Sequence, residues 1–332
     1  MTLDAILAAR RILAPVVHRT RLEYSATFSA MSGAQVHLKL ENVQKTGSFK
    51  VRGAFNCIAR LTPDCRQRGV IASSAGNHAQ GVAYAAQAFG TRATIVMPET
   101  APLAKRAATA GYGADVVLCG RTYDEAYQEA CRRQAAGGQT FVHPFDDPDV
   151  IAGQGTIGLE IAEDLPDVDA VLVPVGGGGL AAGVALAVKS LASKARVIGV
   201  QAAAAPAMAL SWRAGGCVAS SVAPTLADGL AVAQPGSLTF PYLQRYLDDL
   251  VTVEEEAIAE AIALLLERSK MLVEGAGAVG LAAVLSNAVR LQGHKLAVLV
   301  TGGNMDVRHV LPAAVRQSLP TNSGMLGYAA RA

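Results

Sequence analysis

Short apolar or β-branched runs alternate along the chain with longer, alanine-rich stretches. The runs "VHLKL" (36–40), "GVIAS" (69–73), "ATIVM" (93–97), "ADVVLC" (114–119), "DAVLVPV" (169–175), "RVIGVQ" (196–201), "LVTV" (250–253) and "KLAVLVTG" (295–302) predict strands. Between them, helices are predicted over 78–89, 102–110, 124–136, 150–164, 180–192, 254–269 and 276–290. Strands this uniformly apolar are buried on both faces. The alternation therefore implies an α/β fold, parallel sheet covered by helices on both sides. Eight strands can form one wide sheet or two smaller ones. Those at 69–73, 93–97 and 114–119 lie close together as a compact βαβαβ block, and "HPFDDPD" (143–149) is a turn-rich exit from it. The expected organisation is two parallel-type α/β domains. A small domain, residues 52–145, is inserted into a larger discontinuous one, residues 1–51 and 146–332, with the active site in the cleft between them.

Composition narrows the class. The chain of 332 residues is 51% hydrophobic and 17% charged, with 33 glycines. Its formal charge of +2 gives no global field for nucleic acid or an anionic membrane. Five cysteines without CxxC spacing fit free thiols in a reducing cytoplasm better than disulfides or structural zinc. "MTLDAILAARRILAPVV" carries its arginines after the apolar stretch, the wrong order for a signal peptide, and reads as an amphipathic helix. The uncharged segment 170–188 has the length of a membrane span, but its proline and four glycines mark strand, tight loop and buried helix instead.

Four short motifs could carry chemistry. In "TGSFKVRGA" (46–54), Ser48 is the expected N-cap of a helix that holds Lys50 in its first turn. A cation there opposes the helix dipole, which disfavours a surface ion pair and lowers an amine's pKa. "SSAGNH" (73–78) follows a strand and opens a helix, so its amides can bind a carboxylate or phosphate; Ser74 or Asn77 could equally be a simple cap. "PVGGGGLAAG" (174–183) brings several N–H groups towards one anion, and without GK[ST] or GxGxxG spacing a phosphate monoester is the better guest. "VTGGN" (300–304) sets Thr301 at the carboxyl end of a strand, where doubly wound sheets place ligands, though a capping role is also open. No histidine pair has metal-ligand spacing and no GxSxG elbow occurs.

In this order the four motifs resemble the fold-type II pyridoxal-phosphate enzymes, a tryptophan synthase β-like fold. Within them the chain looks like the threonine/serine dehydratases (ammonia-lyases) and the related serine racemases. "HPFDDPDVIAGQGTIGLEI" (143–161) adds to the dehydratase likeness, and the resemblance spans roughly residues 5 to 315. It implies pyridoxal 5'-phosphate as cofactor and Lys50 as the Schiff-base lysine and catalytic amine. Gly176, Gly177, Gly178 and Gly179 would cradle the phosphate, Asn77 would bond the ring hydroxyl, Phe49 would lie against the ring and Thr301 would meet the pyridine nitrogen. Glu274 would stand near the ring. Ser74, Ala75, Gly76, Asn77 and His78 would take the substrate carboxylate.

The activity so implied is β-elimination of an L-β-hydroxy-amino acid, threonine or serine by default, to a 2-oxo acid and ammonia. A hydroxyectoine-breakdown intermediate, phenylserine or 3-hydroxyaspartate would look the same at this level, as would a serine racemase-like enzyme. A non-enzymatic module binding a phosphorylated ligand would use the glycine loop but leave Lys50 without purpose. A cytoplasmic homodimer is expected, with no nucleic-acid or membrane partner. Where metal-activated relatives carry acidic cation ligands, this chain has Gln201 and Ala207, so no metal site is expected. The short tail after Thr301 and its helix implies no regulatory domain and no isoleucine feedback.

Overall fold

The computed structural model describes residues 1–305, so the tail lies outside the described residues. Two sheets organise the chain. The larger contains β1 (Leu22–Tyr24), β2 (Gln35–Leu40), β7 (Ala170–Pro174), β8 (Arg196–Ala202), β9 (Asp249–Val253) and β10 (Lys295–Val300), in the order β1-β2-β10-β7-β8-β9. All its pairings are parallel except β1 with β2. The smaller contains β3 (Val70–Ser73), β4 (Ala93–Met97), β5 (Asp115–Leu118) and β6 (Thr140–Phe141), all parallel, in the order β5-β4-β3-β6.

Alternation along each strand feeds two cores. In the large sheet Leu172, Ile198 and Val298 face the helix Gly275–Leu285, while Val171, Val173, Val197 and Leu299 face the helices Pro148–Asp164 and Gly179–Leu191. In the small sheet Val70, Ala72, Ile95 and Met97 pack with the helices Lys50–Ala59 and Asn77–Ala88, and Ile71 and Val96 pack with Tyr123–Gly137. Both faces are covered, as near-continuous apolar strands require. The buried segment 170–188 is indeed strand, loop and helix, and among the described residues no helix is long and apolar enough to cross a membrane.

All eight predicted strands form, with small shifts at their ends, and the seven predicted helices lie where expected. The last is shorter: it stops at Leu285, and Asn287 turns the chain with φ 56°. The elements without a signal are β1 and β6, of three and two residues, and the helices Ala26–Ser32, Pro63–Arg68, Ala207–Ala214 and Thr239–Tyr246. Runs of two to eight residues span too few turns or alternations to show a period.

The helix carrying Lys50 crosses Pro148–Asp164 at a contact that only glycines allow. A Cβ on Gly153 would stand 2.5 Å from Arg52 O, and one on Gly53 would stand 2.3 Å from Gln154 Nε2. This close approach ties the start of the Lys50 helix to a helix of the large sheet's core.

Candidate active site

The carboxyl ends of β3, β7 and β10 lead into the Ser74 turn, the glycine loop and Thr301 respectively. Ligands of open α/β sheets bind at such ends.

Ser48 is not the N-cap expected of it. The helix Lys50–Ala59 begins after Phe49, without any side-chain cap. Ser48 is extended instead and bridges Gly302, and its buried Oγ has no hydrogen-bond partner among the described residues. The tertiary bridge to the 301–304 turn has overridden the local cap. Phe49 N bonds Thr301 O at 3.2 Å and Gly303 N bonds Gly47 O at 3.0 Å, so the two motifs are stitched together.

Lys50 still falls in the first turn of its helix. Its Nζ donates to Pro144 O at 2.9 Å and stands 5.3 Å from the centre of the Phe49 ring. The residue keeps some accessible surface, but protein surrounds the amine. That desolvation lowers its pKa to about 8, against the opposing pull of Glu274. Burial is thus a sufficient cause of the depression that the dipole argument anticipated.

The helix Asn77–Ala88 opens from Gly76 without a side-chain cap, so neither Ser74 nor Asn77 caps it. Ser74 Oγ accepts from Gly76 N at 3.2 Å. The amides of Ala75, Asn77, His78 and Ala79 have no acceptor among the described residues. The Asn77 side chain donates to Glu274 Oε1 at 2.6 Å and accepts from Asn304 Nδ2 at 2.9 Å. Burial, aided by the charge of Asp228, raises the Glu274 pKa to about 7, although Asn77, Lys105 and Lys50 oppose it. His78 is buried with Nε2 2.8 Å from Val142 O, and desolvation and the Lys50 charge lower its pKa to about 3. Its ring is therefore neutral and engaged with backbone. Only its amide is available to an anion.

The glycine loop has the form of an anion cradle. The amides of residues 176–181 have no acceptor among the described residues, and these six donors lie at or just before the start of the helix Gly179–Leu191. Gly178, with φ 96°, is the left-handed N-cap and offers no side chain. A Cβ on Gly177 would lie 2.4 Å from the Phe145 ring. Phe145 follows Pro144, so one turn touches both the Lys50 amine and the cradle. Thr301 is buried, and its hydroxyl donates to Ala276 O at 3.3 Å, a long bond that a better acceptor can displace. Together the amine, the orphan amides and the Asn77–Glu274 pair fit a phosphorylated pyridine aldehyde.

Pro144, Phe145, Asp146, Thr239 and Asn304 received no role from sequence, though all but Thr239 stand in the quoted motifs. Their part is to orient other groups, and this leaves no residue-type signature. Among the described residues no cluster of metal-ligating side chains occurs. Gln201 Oε1 accepts from Ala209 N at 2.9 Å.

Comparison with known proteins points to the same cofactor. The profile of the family described as "Pyridoxal-phosphate dependent enzyme" matches residues 13–302. The L-threonine ammonia-lyase of Thermotoga maritima is 56% identical over 310 residues, covering 93% of this chain and 77% of that one. The crystal structure of a T.th. threonine deaminase superposes with a TM-score of 0.87 at 45% identity, covering 92% of this chain and 99% of that one. Maize serine racemase superposes with a TM-score of 0.90 at 36% identity, covering 93% and 95%.

Proposed function

Because the chain belongs to the family of pyridoxal-phosphate dependent enzymes, we propose that its cleft holds that cofactor and eliminates the β-hydroxyl of L-threonine, giving a 2-oxo acid and ammonia. The observation that carries this reading is the buried Lys50 amine, hydrogen-bonded to the turn that packs on the glycine cradle.

Bound pyridoxal phosphate supplies an electron-poor ring that takes up the electron pair left when a Cα–H bond breaks. The residues here divide the remaining work. The amides of 176–181 and the dipole of their helix hold the phosphate group. Asn77, which donates to Glu274, would bind the ring hydroxyl, Phe49 would lie against the ring and Thr301 would meet the pyridine nitrogen. The amides of the Ser74–His78 turn take the substrate carboxylate. Lys50 Nζ removes the Cα proton, and a pKa near 8 leaves part of the amine neutral, and so able to accept it, at physiological pH. A hydroxyl at the pyridine nitrogen, unlike a carboxylate, would not hold that nitrogen protonated. Over the whole reaction threonine loses water, takes water back, and parts into a 2-oxo acid and ammonia.

The reading extends to L-serine as a second substrate, to residues 52–145 as a small inserted α/β domain, and to a cytoplasmic homodimer. Purified protein is assayed for 2-oxo acid and ammonia with L-threonine, L-serine, phenylserine and 3-hydroxyaspartate. Threonine is expected to be turned over fastest. No 2-oxo acid from any of them would overturn the assignment.

A further inference from the structure

The carbonyl of Gly177 is held by two donors. Thr239 Oγ1 donates to it at 2.6 Å and Gly236 N at 3.3 Å. Thr239 is fully buried, and Gly236 O, at 3.2 Å, is a more distant alternative acceptor for its single hydroxyl proton. In a trans peptide the N–H of the next residue points opposite to the carbonyl. Fixing Gly177 O on Thr239 therefore fixes the Gly178 N–H in the opposite direction, and Gly178 is one of the cradle residues whose amide has no acceptor among the described residues.

Thr239 is itself set in place by Asp146. The helix Thr239–Tyr246 has no side-chain cap of its own at Leu238. Asp146 supplies one from elsewhere in the chain. Its Oδ1 accepts from Leu238 N at 2.9 Å and Thr239 N at 3.0 Å, and its Oδ2 accepts from Ser237 Oγ at 3.2 Å. Asp146 N in turn donates to His143 Nδ1 at 2.7 Å, which closes the turn that carries Pro144 and Phe145. The backbone of Phe145 lies under Gly179, where an added Cβ would be 2.6 Å from Phe145 O. The turn that receives the Lys50 amine thus braces the glycine loop twice, directly through Phe145 and indirectly through Asp146 and Thr239.

We propose that Thr239 and Asp146 are positioning residues for the phosphate cradle, Thr239 by holding the Gly177 carbonyl and Asp146 by holding Thr239. The inference rests on the reading of the glycine loop as the phosphate site. It assigns neither residue any contact with the reacting atoms.

The test compares affinities of the full chain for pyridoxal phosphate and for pyridoxal, which lacks the phosphate, followed by cofactor absorbance. Thr239→Val keeps shape and loses the donor. It is expected to weaken pyridoxal phosphate about tenfold, the scale of one well-placed hydrogen bond, and to leave pyridoxal unchanged. Thr239→Ser keeps the donor and is expected to restore the wild-type preference. Equal weakening of both ligands, or no change in Thr239→Val, overturns the proposal. Should Thr239→Val fail to fold, Asp146→Ala answers the same question, and an unchanged preference for the phosphorylated ligand overturns it. Gly177→Ala separates the two levels. If that variant alone loses the preference, the loop binds phosphate and the positioning role falls. If it too keeps the preference, the phosphate reading itself is wrong.

Discussion

Asn77 Nδ2 donates to Glu274 Oε1 at 2.6 Å across a sequence separation of 197 residues. The bond joins the helix after β3 of the small sheet to the start of a helix packed on the large one. Asn304, which also donates to Thr46 O at 2.7 Å, binds the other end of the same amide. Three distant motifs are thereby fixed at one point, beside the Lys50 amine that Glu274 influences.

Glu274 gives a pH prediction for the cofactor-free protein. Its folded pKa of about 7 exceeds the ordinary 4.5, so between those values the folded state binds more protons than the unfolded state. Stability is then full below pH 4.5 and falls as pH rises to 7, by an amount on the order of 3 kcal/mol. Glu274→Gln removes the titration while keeping an acceptor for Asn77. Thermal melts at pH 5 and pH 8 are expected to differ less for the variant than for wild type.

Lys50→Ala is expected to abolish turnover and to lose the cofactor's yellow absorbance. In the wild type, borohydride reduction followed by peptide mapping should label Lys50. A label on another lysine would sink the assignment.

Arg52, two residues beyond Lys50, lies in a neutral buried cluster. It bonds Glu41 at 2.8 Å and Glu160 at 2.7 Å, and Lys39 bonds Glu160 at 2.6 Å, with every side chain at or below 8% exposure. Burial alone would raise the Glu41 pKa, but the Arg52 charge and its hydrogen bonds hold it low. Glu41→Gln leaves an unbalanced buried cation and should cost roughly 3–5 kcal/mol in denaturant unfolding. A loss below about 1 kcal/mol would mean the pair behaves as a surface salt bridge.

Ala75 separates lyase from racemase. The resemblance to serine racemases implies that those enzymes carry a serine, a proton donor, at the corresponding place before Gly-Asn-His. Ala75 has none, and the Ser74 hydroxyl, which accepts from Gly76 N, lies one residue earlier. Acid–base assistance is worth about two to four orders of magnitude, so D-serine should form in below about one per cent of turnovers. Ala75→Ser is expected to raise that share. Chiral chromatography of a serine reaction decides it, and D-serine appearing as fast as pyruvate would refute the lyase reading.

Activity is expected to be indifferent to chelators. At the family's cation positions stand Gln201, whose oxygen is bonded to Ala209 N, and Ala207, which has no oxygen ligand in its side chain. Loss of turnover in chelator, restored by magnesium or calcium, would contradict this.

The sequence by itself determined the alternation of buried strands and helices, and with it the fold class, because burial on two faces demands uninterrupted apolar runs. It also marked Lys50, the Asn77 turn, the glycine loop and the Thr301 turn, since each depends on a residue type that local chemistry requires. Tertiary structure decided the rest. Ser48 gave up its cap because pairing with Gly302 outweighed it, and His78 turned to Val142 O because burial left no water for its ring. The Asp146–Thr239–Gly177 chain was invisible for the same reason. Its members are ordinary residues in ordinary local settings, and only the approach of segments about sixty to ninety positions apart makes their hydrogen bonds possible.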